Sequence, residues 1–283
     1  MSQPVVLVTG SSSGIGLAAS VAAAQNGFMV IATMRDTSKS AALLDGAAAA
    51  GVSVTVRQLD VVSADSVDRC LAGVAAEFGR LDALVNNAGA AYVGTLEVES
   101  IQAVRAAMEV NFFGVVQVSK AAMPHLRQSR GRLITVSSVG GAVGQPFNES
   151  YCAAKFAVEG YMESLAPVAA QVGVRVTIIE PGAVASEFVA NAKLNPVALL
   201  AAAGPYASAL QSYIRRTMSR FGEGAQTPAA AAESIIAALT MDDPPLRIQT
   251  SDWARTFVGR KLVDLDGSAV LRETTTWVSA PSE

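Results

Sequence analysis

The stretch Val5-Val6-Leu7-Val8-Thr9-Gly10-Ser11-Ser12-Ser13-Gly14-Ile15-Gly16 decides the fold. A short, unbroken run of apolar and β-branched residues reads as a strand buried on both faces, as in a parallel sheet sandwiched between helices. It leads straight into a glycine turn and then into the Ala-rich residues 17–24, so the unit is strand, turn, helix. Without side chains, Gly10, Gly14 and Gly16 let the backbone turn tightly, admit a pyrophosphate to the helix N-terminus, and allow helix and strand to pack closely. Ser12, Ser13 and Ile15 belong to the same phosphate-facing turn. The spacing G-x-x-x-G-x-G departs from the commoner G-x-G-x-x-G, and an ordinary βα turn can carry the same glycines, so the chemistry must be sought further along.

Six more apolar runs follow, at 28–33, 52–59, 81–85, 132–136, 174–179 and 246–249. They alternate with amphipathic stretches expected to start as helices near Gly14, Ser38, Ser63, Ser100, Ser150 and Pro228. Right-handed crossovers then predict an α/β fold, a single Rossmann-type domain over 1–283 with a seven-stranded, doubly wound parallel sheet and helices on both faces. One long interruption, 186–226, lies between the last two strands and contains Asn195-Pro196 and Gly204-Pro205. At the carboxyl edge of a parallel sheet such an insertion reads as a substrate lid; the alternative is a helical pair that only pads the sheet.

About half of the 283 residues are apolar (51%) and 16% are charged, with a formal net charge of -3. That composition buries a large core and argues against nucleic acid or an anionic membrane as partner. Two cysteines, Cys70 and Cys152, are too few for a disulfide framework, no cluster has metal-ligand spacing, and no apolar run is long enough to span a bilayer. A cytoplasmic protein with a small ligand is expected. The basic residues Arg127, Arg130, Arg132, Arg215, Arg216, Arg260 and Lys261 read as solvated helix ends, and His125 as a helix-end or core residue.

Ligands of doubly wound sheets bind outside the carboxyl ends of the strands, and the strand ends here are informative. The second closes on Met34-Arg35-Asp36. Met34 stands where an acid would grip a ribose 2′-hydroxyl, and Arg35 suits a 2′-phosphate, which points to NADP(H), with NAD(H) as alternative. Otherwise Arg35 is a surface residue paired with Asp36. Asp60-Val61 ends the third strand, Asp60 facing adenine or capping the next helix. Asn87, Ala88 and Gly89 shape the loop after the fourth.

The fifth strand ends in Ser137-Ser138, and Tyr151 and Lys155 follow at i, i+4 spacing on one helix face. A free phenol titrates near about 10, and a nearby ammonium favours its phenolate, which makes Tyr151 a credible acid/base. Ser138 would orient the substrate oxygen, and Asn111 would hold a water linking Lys155 to solvent. Taken singly, each of these residues reads more readily as structural.

Together and in this order, the motifs resemble the short-chain dehydrogenase/reductase family along nearly the whole chain. The resemblance implies a catalytic Asn111, Ser138, Tyr151 and Lys155. It implies a cofactor loop of Pro181, Gly182 and Val184, with Ser186 where threonine is usual, and a homodimer or homotetramer packed through helices at 97–123 and 150–171. Val139, Gln145, Phe147 and Ala183 would line the substrate pocket. The stretches 32–36, 144–157 and 163–166 are similar to 17β-hydroxysteroid and retinol dehydrogenases of the family. They imply a bulky hydrophobic alcohol/ketone substrate, an estradiol/estrone-like 17β-hydroxysteroid before a retinoid or a 3-oxoacyl thioester. A non-catalytic NADP-sensing module is the rival outside enzymes, and such a module dispenses with the Tyr/Lys pair.

Overall fold

β1 (Val5–Thr9) is buried at all five positions. Val5 and Leu7 enter one core cluster and Val6 and Val8 the other, the period-two alternation of a pleated strand covered on both sides. The computed structural model describes residues 3–187 and 196–277, so part of the expected lid, 188–195, lies outside the described residues. The remaining strands are β2 (Met29–Met34), β3 (Thr55–Gln58), β4 (Ala83–Asn86), β5 (Arg132–Val136), β6 (Arg175–Glu180) and β7 (Arg247–Gln249). All pair in parallel, in the order β3-β2-β1-β4-β5-β6-β7. The third strand starts later than its apolar run, because the Val52 N–H closes the preceding helix on Ala47 O at 3.0 Å.

The helices are α1 (Gly14–Gln25), α2 (Ala41–Ala49), α3 (Ala64–Phe78), α4 (Ile101–Met108), α5 (Gly114–Ser129), α6 (Glu149–Ala170), α7 (Pro196–Ala202), α8 (Ala207–Glu223), α9 (Pro228–Thr240), α10 (Asp252–Val263) and α11 (Ser268–Thr276). On one sheet face α3, α5 and α6 contribute Val67, Leu71, Val118, Leu126, Val158 and Met162. On the other, α1, α2 and α9 contribute Ala19, Ala23, Leu43, Ile235 and Leu239. Each fully buried aliphatic side chain there is worth about 1.5–3 kcal/mol, so the two layers fix the sheet's curvature and the position of its edge.

Two helix starts differ from expectation. Asp36 accepts from Ser38 N at 3.1 Å and turns residues 37–39 into a 3-10 turn, which delays α2 to Ala41. The helix expected over 97–123 is broken: α4 passes through a π-helical turn, Glu109–Phe113, into α5. Such turns often mark functional sites.

β1 lies between β2 and β4, so the chain winds outward to β3 and then returns past β1. This reversal opens a crevice at the carboxyl ends of β1 and β4. After β6 the ends of the long interruption meet: Ala185 N donates to Gln226 O at 2.8 Å and Gln226 N to Ala183 O at 3.0 Å. Among the described residues no helix is long and apolar enough to cross a membrane.

Candidate active site

The glycine turn closes over the end of β1 because the space around it is already taken. A Cβ on Gly10 (φ +70°) would stand 2.8 Å from Ala88 Cα, and one on Gly16 would stand 2.3 Å from both Gly10 O and Asn87 Nδ2. Asn87 Nδ2 donates to Thr9 O at 2.9 Å and Gly10 O at 3.0 Å, while the N–H groups of Asn87 and Ala88 donate to Thr9 Oγ1 at 2.9 and 3.0 Å. Thr9, part of the turn stretch but given no role of its own by the sequence, thus stitches the β1 and β4 loops together.

α1, like α2 and α5, starts without a side-chain cap or an acid in its first turn, but it alone of these follows the glycine turn at the end of β1. Side chains of Ser63, Ser100, Thr227 and Ser251 cap α3, α4, α9 and α10, whereas Ser13 makes no such bond and the first turn of α1 holds no acid. Its leading N–H groups keep their partial positive charge at the crevice, the donor set a pyrophosphate needs. The residues present therefore fit a dinucleotide. Ser186 crosses from the β6 side to this turn, its Cβ 3.2 Å from where a Gly14 Cβ would stand.

At the end of β2 the side chains separate sharply. Met34 is 3% exposed and packs in the core, while Arg35 is exposed. The pairing of Arg35 with Asp36 is not made: Asp36 turns to the Ser38 N–H and hydroxyl, and Arg35 has no ion-pair partner among the described residues. Asp60 does not cap α3 either; Ser63 does, and Asp60 accepts from Val62 N at 3.2 Å in a local turn. Val61 wedges against Gly114, where a Cβ would meet Val61 Cγ2 at 2.8 Å.

Ser138, Tyr151 and Lys155 come together at the β5 edge. The Ser138 hydroxyl accepts from Gly140 N at 3.0 Å and donates to the Tyr151 phenol oxygen. Lys155 is 4% exposed; its Nζ donates to Val136 O at 2.9 Å and lies 5.8 Å from the centre of the Tyr151 ring. Burial pushes the Tyr151 phenol well above its ordinary value, against the opposing Ser138 bond. Burial also brings the Lys155 ammonium down to about 8, with Glu159 opposing. The expectation that the ammonium pulls the phenol toward neutral pH is thus not met in this geometry, because desolvation penalises both charged forms.

Asn111 is fully buried within the π-turn. Its amide donates to Ala90 O at 3.0 Å and Ala107 O at 3.1 Å, and its oxygen accepts from Ala90 N at 3.1 Å. The side chain clasps the loop after β4. Gly89 passes between the two groups: a Cβ there would stand 2.8 Å from Asn111 Oδ1 and 3.8 Å from Lys155 Nζ.

Pro181 O accepts from Val139 N at 3.0 Å, and Gly182 lies under Trp253, whose ring a Cβ would approach to 3.0 Å. Val184 forms the bridge to Gln226. Val139 and Phe147 belong to a third apolar cluster, apart from the sheet faces, that adds Val143, Leu210, Tyr213, Ala254, Phe257, Val258 and Trp277. Phe147 adopts φ +58°, a strain of about 1–2 kcal/mol for a side-chain-bearing residue, and packs its ring 5.6 Å from Tyr213. Gln145 is half-buried; its main-chain oxygen accepts from Asn148 N, and its main-chain N–H donates to the Cys152 sulfur.

Trp253, Phe257 and Trp277 stack in succession, and Arg216 lies over Trp277 at 4.1 Å. Arg216 is therefore a packing residue and not a solvated helix end; Arg260 pairs with Glu273 and Lys261 faces Phe156. Tyr213 carries a weak sequence signal, the amphipathic pattern of the insertion. Trp253, Phe257 and Trp277 carry none, since they reach the cluster only through the path of the chain after β7.

An uncapped helix start behind a glycine turn, with a hydroxyl pair and a buried lysine at the adjoining strand edge, defines a dinucleotide-dependent α/β oxidoreductase. Residues 4–196 match the family model described as short chain dehydrogenase. The chain is 38% identical to retinol dehydrogenase 8 of Bos taurus over 94% of this chain and 88% of that one. It is 36% identical to 17-beta-hydroxysteroid dehydrogenase type 1 of Homo sapiens, over 95% and 84%. An alcohol dehydrogenase from the archaeon Thermococcus sibiricus, solved with 5-hydroxy-NADP, superposes with a TM-score of 0.72 at 25% identity, over 88% and 96%. The protein belongs to the short-chain dehydrogenase/reductase family and is an oxidoreductase.

Proposed function

We propose that the protein interconverts a secondary alcohol and a ketone on a bulky, mostly apolar substrate with NADP(H), and that the substrate is a 17β-hydroxysteroid of the estradiol/estrone kind. The observation that carries this reading is the Ser138–Tyr151 hydroxyl pair, one helical turn from Lys155 and beside the apolar cluster of Phe147, Tyr213 and Trp277. When bound, the dinucleotide would supply the hydride chemistry at the substrate carbon. Tyr151, held protonated by burial, donates its proton to the carbonyl oxygen in reduction and is left as phenolate; in oxidation it must first give up that proton, and its phenolate then takes the one from the alcohol. Ser138 orients that oxygen, and Lys155 grips the nicotinamide ribose.

Gly10, Ser12, Ser13, Gly14, Ile15 and Gly16 take the pyrophosphate, Arg35 the 2′-phosphate, and Asp60, Val61, Asn87, Ala88 and Gly89 the adenosine side. Pro181, Gly182, Val184 and Ser186 take the nicotinamide. Val139, Gln145, Phe147 and Ala183, with the 186–226 lid, wall the substrate. The chain is read as one domain, cytoplasmic, and assembled through α4 to α6, where Phe113, Tyr161 and Val168 leave apolar surface exposed. A retinoid substrate is the second reading, favoured by the likeness to retinol dehydrogenase 8.

The test is cofactor absorbance with estradiol, estrone, retinol, retinal, a 3-oxoacyl thioester and small aliphatic ketones, alongside Tyr151→Phe. Turnover confined to small ketones would overturn the steroid reading. A Tyr151→Phe variant as active as the wild type would overturn the assignment of the acid/base.

A further inference from the structure

Directly behind the proposed acid/base pair sits a buried cluster that the mechanism above does not use. α6 carries Glu159 one turn after Lys155, its side chain 8% exposed, and Glu180, 1% exposed, ends β6 just before Pro181-Gly182. Arg247, at the start of β7, reaches both: its Nε lies 3.0 Å from Glu159 Oε2 and 3.6 Å from Glu180 Oε1. Its Nη2 holds the exposed Glu163 at 2.9 Å. Gln249, directly across from Glu180 in the β6–β7 pairing, donates to Glu180 Oε2.

One oxygen on each buried carboxyl is left over. Among the described residues no donor gives a hydrogen to Glu159 Oε1 or Glu180 Oε1, although both are fully shielded and the two side chains stand within hydrogen-bonding reach of each other. Buried oxygens are rarely left unsatisfied, and two carboxylates side by side facing one shared guanidinium repel. A single proton between them removes both problems. We infer that Glu159 and Glu180 share one proton, and that this carboxyl–carboxylate pair acts as a positioning pair joining α6, with Tyr151 and Lys155, to the Pro181-Gly182 turn.

The groups facing the pair set when that proton leaves. α6 presents Lys155 and Glu163, β7 presents Arg247 and the neutral Gln249, and Ser137, just after β5, adds a neutral hydroxyl beside Glu159. Burial pushes Glu180 up to about 7, with the Gln249 bond opposing and Glu159 reinforcing. The link is therefore made in acid and broken as pH rises through neutrality. The turn it steadies is one the proposed function assigns to the nicotinamide, so the kinetic half of the inference rests on that reading.

Two measurements test it. In infrared difference spectra of the whole protein, a protonated-carboxyl band should titrate near neutral pH in the wild type and be absent from Glu180→Gln and Glu159→Gln. Kinetically, the wild-type KM for cofactor should rise about fivefold, the loss of roughly one hydrogen bond, between about pH 6 and about pH 8. In both variants an amide donor replaces the shared proton, so that rise should be smaller while kcat at acid pH stays near wild type. A wild type without the titrating band, or variants that keep the full wild-type KM rise, would overturn the inference. Should the variants not fold, the wild-type spectrum still decides, and because it needs no turnover its failure is distinct from a failure of the proposed function, which Tyr151→Phe reports.

Discussion

Replacing Arg35 with alanine isolates the source of cofactor preference. The structure leaves this guanidinium exposed at the end of β2 with no ion-pair partner among the described residues, while Asp36 is spent on Ser38. Its removal breaks nothing in the fold, so stability should change by less than about 0.5 kcal/mol. A hydrogen bond to a charged group is worth about 1.5–3 kcal/mol, so NADP(H) should bind one to two orders of magnitude more weakly, with NAD(H) nearly unchanged. The loss should shrink at high salt, because an exposed contact is screened. Introducing an acid at Met34 is the poorer experiment: Met34 is 3% exposed, and a carboxylate there would be buried without a partner. Dissociation constants for both cofactors, read by fluorescence of the reduced nicotinamide in wild type and Arg35→Ala at two salt concentrations, provide the assay. Equal binding of NADP(H) by the two proteins would refute the reasoning and leave Arg35 as a solvated side chain.

Tyr151→Phe should keep cofactor affinity and melting temperature while kcat falls by about 10²–10⁴, the worth of a positioned proton donor, as steady-state kinetics will report. Gly16→Ala should destabilise by about 1–3 kcal/mol and weaken cofactor binding, since its Cβ would stand 2.3 Å from Gly10 O and Asn87 Nδ2; urea denaturation and cofactor titration check both. Stability should also depend on pH with a definite sign. Glu180, raised from 4.5 to about 7, favours the fold while protonated, a contribution full below about 4.5 and lost as pH rises through about 7. Lys155, lowered from 10.5 to about 8, opposes the fold while charged, a cost present below about 8 and relieved toward 10.5. Relative to Glu180→Gln, the wild type should therefore lose stability between pH 4.5 and 7, as melting curves across that range will show.

The strands were legible because central strands of a covered parallel sheet must be apolar at every position, and Val5 to Val8 satisfy that condition by themselves. The glycine turn was legible for a related reason: only glycine tolerates backbone and Asn87 within 2.3 Å of its Cβ direction. The i, i+4 spacing of Tyr151 and Lys155 likewise follows from helix geometry alone. The helical period did not reveal the break at Glu109–Phe113, since a π-turn inserts a residue without changing composition, and local pattern cannot register where the Asn111 amide finds its partners.

What the sequence determined, then, is everything that rests on periodicity and on the chemistry of single residue types: the doubly wound sheet, the crevice at the ends of β1 and β4, and the residues set around it. The tertiary structure decided what depends on neighbours distant in the chain. It set the half-buried Tyr151 beside the buried Lys155, so that desolvation shifts both groups. Arg216 came to lie on Trp277 instead of in water, and Glu159, Glu180 and Arg247 met from three separate elements. Electrostatic energies and packing depend on distances in space, and those distances exist only after the chain has folded.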